Sequence, residues 1–146
     1  MIDIHTYNTI EDIADYIATR LEQAVAVKNK ISIALSGGNT PKALFEIWVK
    51  KYSDKHFWHA ISYFWVDERC VEPENIESNF GVANDLFFKP LEIDFNQIFR
   101  VKGEQNPIVE ADRYQQILRK NISLYNNIPQ FDFIFLGIGD DGHTAS

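Results

Sequence analysis

The sequence predicts an α/β fold: a mostly parallel, Rossmann-like sheet between helical layers in a three-layer αβα arrangement. Three observations carry this. Short apolar runs of strand length alternate with longer segments of helical periodicity. The runs are nearly continuous in apolar residues, as in parallel strands buried on both faces. Each also opens into a polar or glycine-rich turn, and strand–crossover–strand units of this kind close right-handed.

Ile10, Ile13, Ala14, Ile17, Ala18, Leu21 and Val25 recur at three- and four-residue spacing, with Asn8 or Thr9 as N-cap and Glu11 and Asp12 in the first turn. Lys28-Asn29-Lys30 ends this amphipathic helix. Ile31-Ser32-Ile33-Ala34-Leu35 follows as a short strand rich in β-branched residues. Ser36-Gly37-Gly38-Asn39-Thr40 then turns into a second helix, for which the pattern predicts Thr40 as N-cap, Pro41 at the first position, and Leu44, Ile47 and Trp48 inside. Ile61-Ser62-Tyr63-Phe64-Trp65-Val66 reads as a strand buried on both faces and ends at Asp67-Glu68-Arg69.

Asn79 or Ser78 caps a helix through Phe80, Ala83, Leu86 and Phe87, stopped by Lys89-Pro90. Ile98 to Val101 is expected as a short strand. Asn106-Pro107 opens a helix with Ala111, Tyr114, Leu118, Ile122 and Tyr125 inside, and Phe131-Asp132-Phe133-Ile134-Phe135-Leu136 closes the series as a strand buried on both faces. No repeat or low-complexity linker divides the chain, so residues 1–146 are expected to form one α/β domain.

Composition narrows the class. With 146 residues, 45% of them hydrophobic, the chain is long enough for a core and is not a disordered type. No apolar run approaches the roughly 20 residues of a membrane span, and Met1-Ile2-Asp3-Ile4-His5 has no signal-peptide character, so a cytoplasmic protein is expected. Cys70 has no partner for a disulfide within the chain and is read as a packing residue. A formal net charge of −7 repels nucleic acid and anionic membranes, so any anionic ligand must be held locally, by helix-start amides and a few placed cations.

Three loops follow strands and would converge on one sheet edge, where open α/β folds bind ligands. In Ser36-Gly37-Gly38-Asn39-Thr40-Pro41, the glycines permit close backbone approach, and amides and hydroxyls supply donors for phosphate oxygens; a plain capped turn explains the same residues equally well. Asp67 can take or orient a proton and Arg69 offers a planar fork for phosphate or carboxylate, although a solvated charged loop is the simpler reading of that triplet alone. The last segment, Gly137-Ile138-Gly139-Asp140-Asp141-Gly142-His143-Thr144-Ala145-Ser146, matches the spacing of a dinucleotide fingerprint, but Asp140 and Asp141 would face a pyrophosphate, and the sequence ends before a helix or ribose-binding acid could be read. His143 lies two residues from Asp141, and a carboxylate near an imidazole suits general-base chemistry. His5, His56 and His59 are read as surface or packing residues.

Taken together, Ser36-Gly37-Gly38-Asn39-Thr40-Pro41, Trp65-Val66-Asp67-Glu68-Arg69 and the Leu136-to-Ser146 segment resemble, in order and spacing, the motifs of the 6-phosphogluconolactonase family. In the related glucosamine-6-phosphate deaminases the acid pair is followed by Tyr and the Asp-Gly-His by Ile-Ala-Phe; Arg69, Thr144 and Ser146 depart from that pattern toward the lactonase. The resemblance implies hydrolysis of 6-phosphogluconolactone to 6-phosphogluconate in the oxidative pentose phosphate pathway, with a sugar phosphate as the partner and neither metal nor organic cofactor. It implies His143 as general base, Asp141 as its orienting carboxylate, and Ser36, Gly37, Gly38, Asn39, Thr40 and Arg69 around the phosphate and sugar oxygens. Asp67 occupies the position of the deaminase's proton-transfer base. A deaminase, or a non-catalytic sugar-phosphate-sensing domain, is the alternative. Family members continue past the histidine motif, so the chain is expected to be the N-terminal portion of the family fold, with an open sheet edge that favours self-association and with reduced activity.

Overall fold

The computed structural model describes residues 2–139, 141, 142 and 144. Helix α1 (Ile10–Lys28) is capped by Thr9, whose hydroxyl accepts from the Asp12 amide, and it ends at Asn29 in the left-handed region (φ 61°). Strand β1 (Ile31–Leu35) follows, then α2 (Asn39–Tyr52) and a 3₁₀ turn (His56–Ala60) that buries Phe57 and Trp58. Strand β2 (Ile61–Trp65) leads by a long loop to α3 (Asn79–Ala83), which runs on as a π-helical turn (Asn84–Phe88). Helix α4 (Pro107–Asn121) precedes the short strands β3 (Leu124–Tyr125), β4 (Ile128–Pro129) and β5 (Phe133–Ile134).

The main sheet is parallel, in the order β2-β1-β5. Ile31 lies opposite Ile61 and Leu35 opposite Trp65, while Ile33 and Ala34 face Phe133 and Ile134. Because side chains alternate between faces, Ile31, Ile33, Leu35, Ile61, Tyr63 and Trp65 share one face, and all are buried in the core with residues of α1, α2 and α3. Ala14 and Ala18 are small enough for Trp48 of α2 to reach α1, where its indole donates to the Ala14 carbonyl at 2.9 Å. On the other face Phe64 stacks on Phe99 (centroids 4.7 Å apart) and meets Phe131 edge-on.

β5 is locked in register by Asp132. Its carboxylate accepts from the Ser32 amide (2.7 Å) and hydroxyl (3.1 Å) and pairs with Lys28, while the Asp132 amide donates to the Ser32 carbonyl. Burial raises the Asp132 carboxyl, but the Lys28 and Ser32 hydrogen bonds outweigh it, and the net position is below the ordinary carboxylate range. Among the described residues no helix is long and apolar enough to cross a membrane.

Several expectations are corrected. Thr40 does not cap α2: the helix starts at Asn39 and Gly38 is the N-cap, so Pro41 sits third, still within the turn whose amides lack intrahelical acceptors. The strand at Ile98 to Val101 reduces to one parallel bridge between Tyr63 and Ile98. Tyr125 is not on α4, because Asn126 and Asn127 both take positive φ (49° and 64°) and fold β3 and β4 into a two-residue hairpin. Ala111 is exposed rather than inward, and Glu110 is the buried residue of α4. The expected strand over Phe131 to Leu136 shortens to β5 and is not buried on both faces: Phe133 and Phe135 pack into the core, whereas Ile134 and Leu136 are 52% and 54% exposed. Cys70 is exposed, so it is not a packing residue.

Candidate functional site

Since β1, β2 and β5 run parallel, the segments after Leu35, Trp65 and Ile134 leave the same edge of the sheet. Between the first two lies a hollow of about 330 Å³ lined by Ser36, Gly37, Gly38, Lys42, Arg69 and Asn79, among others. Its size falls at the lower end of small-molecule sites, roughly 300–1,000 Å³.

Its floor is the start of α2. Gly38 adopts φ 104°, ψ −177°, a conformation open essentially to glycine alone. That bend lets the chain enter the helix with no side chain over the first turn. No side chain caps α2, and its first turn carries no acid, in contrast with the acidic first turns of α1 and α4. The amides of Asn39 and Thr40 lack intrahelical acceptors by geometry, and the positive end of the helix dipole is uncompensated, so an anion is favoured there.

Two cations, Lys42 and Arg69, border the hollow together with one acid, Glu77. Arg69 is exposed, four residues past the end of β2, and Lys42 borders the same hollow from α2. Sequence reasoning missed Lys42. The available signal was its place one turn into a helix behind a glycine loop, where Cα–Cβ bonds tilt toward the N-terminus and bring a long side chain over the first turn.

The remaining expected residues divide. Ser36 donates its hydroxyl proton to the Phe135 carbonyl at 2.6 Å, tying the glycine loop to the residue that follows β5. Asn39 is exposed at the first position of α2. Thr40 borders a different, more apolar hollow with Leu44, Leu136 and Ile138. Asp67 lines a third one, of about 270 Å³, shared with Glu68, Lys102, Gly103, Glu110 and Tyr114.

That third hollow is firmly built. The Tyr114 hydroxyl accepts from the Trp65 amide (2.8 Å) and donates to the Trp65 carbonyl (3.1 Å), and burial pushes the phenol up. Burial also raises Glu110, yet hydrogen bonds from Arg113 and the Lys102 amide bring it below its ordinary value. Glu104, gripped by both terminal nitrogens of Arg100 (2.8 and 2.6 Å), is lowered to about 2.

Glu68, sequence neighbour of Asp67, does something else. Its carboxylate accepts from the amides of Arg69 (2.7 Å), Asn79 (2.7 Å) and Phe80 (2.8 Å) and from the Ser78 hydroxyl (3.3 Å). It therefore caps α3 from the β2 loop. Ser78 in turn accepts from the Gly81 amide at 3.0 Å.

After β5 the Gly142 amide donates to the Gly139 carbonyl (2.9 Å), with Gly142 at φ 85°, and the Thr144 hydroxyl donates to the Gly137 carbonyl (2.8 Å). This turn carries Asp141, which is exposed. His143, the expected general base, lies outside the described residues, as do Met1, Asp140, Ala145 and Ser146. The other three histidines are exposed.

The profile of the family described as glucosamine-6-phosphate isomerases/6-phosphogluconolactonase matches residues 5–146. A 6-phosphogluconolactonase of Treponema pallidum is 34% identical over 142 residues, covering 97% of this chain and 59% of that protein. One of Haemophilus influenzae is 36% identical, covering 97% and 60%. Among solved structures, the crystal structure of devB protein superposes with a TM-score of 0.93 at 36% identity, over 99% of this chain and 61% of that one. Thermotoga maritima 6-phosphogluconolactonase gives 0.83 at 29% identity, over 94% and 59%. The chain thus spans about three fifths of the length of these relatives. It belongs to the glucosamine-6-phosphate isomerase/6-phosphogluconolactonase family.

Proposed function

We propose that the protein to which this chain belongs hydrolyses 6-phosphogluconolactone to 6-phosphogluconate in the oxidative pentose phosphate pathway. The observation that carries the reading is the hollow at the uncapped start of α2, bordered by Arg69 and Lys42: a place for a dianionic phosphate on a chain with net charge −7. The relatives named 6-phosphogluconolactonase support the choice of ester, as do Arg69, Thr144 and Ser146, which depart from the deaminase pattern.

In this reading the amides at the start of α2, Arg69 and Lys42 hold the phosphate, which positions the lactone toward the turn carrying Asp141, two residues before His143 in sequence. His143 removes a proton from water as it attacks the lactone carbonyl carbon, with Asp141 fixing the imidazole tautomer. The carbonyl π electrons move onto oxygen, where glycine-loop amides meet the developing charge. Collapse restores the carbonyl and breaks the bond to the ring oxygen, which takes the proton from His143. Atoms and charge balance with water as the only co-reactant.

A coupled assay tests this: faster formation of 6-phosphogluconate than spontaneous lactone opening, with no ammonia release from glucosamine 6-phosphate, is expected. Ammonia release without lactonase turnover would make the deaminase reading correct. Binding of 6-phosphogluconate without either turnover would favour the sugar-phosphate sensor.

A further inference from the structure

We propose that Asn79 is a positioning residue that sets the separation between the loop after β1 and the loop after β2. The inference rests on the phosphate-binding reading of the hollow between them. Asn79 is the first residue of α3 and is buried. Its amide donates to Glu68, and its side-chain nitrogen donates to the Asp67 carbonyl at 3.2 Å. Its side-chain oxygen lies where a Cβ on Gly37 would approach within 1.8 Å. One carboxamide therefore touches both loops.

The two glycines of the β1 loop are glycines for different reasons. Gly38 has a positive φ of 104° with open space around it, so the backbone demands glycine there. The left-handed conformation is confined to Gly38 and Gly142 among the described glycines, so Gly37 has a backbone that other residues adopt. Asn79 alone supplies the three atoms a Cβ at Gly37 would meet most closely. Glycine at 37 and asparagine at 79 are thus two halves of one contact. It holds the phosphate loop against the strand end that presents Asp67.

A ligand seated only at the start of α2 is insensitive to that separation. A ligand reaching from the phosphate site toward Asp67 and the neighbouring loop is not, because small misplacements of reacting or binding groups are costly.

Two measurements test the proposal. In thermal melting, Gly37→Ala is expected to lower Tm, and adding Asn79→Ala to remove the loss, so that the double variant melts no lower than Asn79→Ala alone. Additive losses would overturn the contact. In calorimetry on the same chain, Asn79→Ala is expected to weaken 6-phosphogluconate by about tenfold while leaving inorganic phosphate unchanged. Equal weakening of both would make Asn79 a direct phosphate ligand, and no change in either would make the contact simple packing; each result overturns the positioning role. Failure of the parent chain to bind either probe would remove the phosphate reading instead, and the melting cycle would still decide whether the Gly37–Asn79 contact fixes the loops.

Discussion

The loops after β1 and β2 leave the same edge of the sheet and are built on opposite principles. The β1 loop offers backbone: two glycines, an uncapped helix start, and one hydroxyl that ties it to the residue that follows β5. The β2 loop is held by side chains, with Glu68 taking four donors and Asn79 bonding the Asp67 carbonyl. The difference teaches how an acidic chain makes room for an anion. Glu68 sits next to Arg69 in sequence, yet its charge is committed to α3, so the hollow is bordered by two cations, Lys42 and Arg69, against one acid, Glu77. An acid pair read from sequence as one feature is two residues with different work.

Glu68→Ala should have the largest effect. Three amides and a hydroxyl lose a charged acceptor in a partly buried place, and a loss of about 3 kcal/mol is expected. Urea unfolding measures it; a loss below about 0.5 kcal/mol, the scale of an ordinary surface change, would show that the capping bonds do not hold α3. Gly38→Ala comes next. Its conformation is close to glycine-only, so the cost should be of order 1–3 kcal/mol, with weaker phosphate binding. A neutral Gly38→Ala would show that the helix start adopts a different bend.

Acid should produce the mildest effect. Glu104 is held at about 2, and the unfolded chain titrates near the ordinary Glu value, roughly 4.3. The folded protein therefore binds fewer protons across that window. This stability is fully present above about 4.3 and lost as pH falls toward about 2, with Glu110 and Asp132, both also lowered, contributing in the same direction. Glu104→Gln should flatten the acid limb of a stability–pH curve, and an unchanged limb would remove the assignment.

How legible this was depended on the range of the interaction. Helices α1 and α4 were readable because their caps, Thr9 and Asn106, act within three residues. Strands β1 and β2 were readable because buried parallel strands need continuous apolar runs. The entry into α2 was misplaced by two residues, since a glycine at φ 104° can cap a helix without a side chain and propensity favoured Thr40. The β3–β4 hairpin was missed because the apolar spacing of Leu118, Ile122 and Tyr125 mimics a helix while Asn126 and Asn127 turn the chain. Gly37, Gly38 and Arg69 were found at the hollow from sequence. Lys42 and Asn79 were not: the first needs the helix direction, and the second needs a contact across 42 positions that only the fold supplies.

The proposed activity requires that the amides at the start of α2, together with Arg69, read a phosphate group. Calorimetric titration of the chain with 6-phosphogluconate and with gluconate, before and after Arg69→Gln, tests it most directly. Binding is expected to depend on the phosphate, to weaken by about tenfold or more on losing the paired guanidinium bonds, and to fall with added salt. Equal affinity for gluconate and 6-phosphogluconate, or full retention of the phosphate preference in Arg69→Gln, would contradict it.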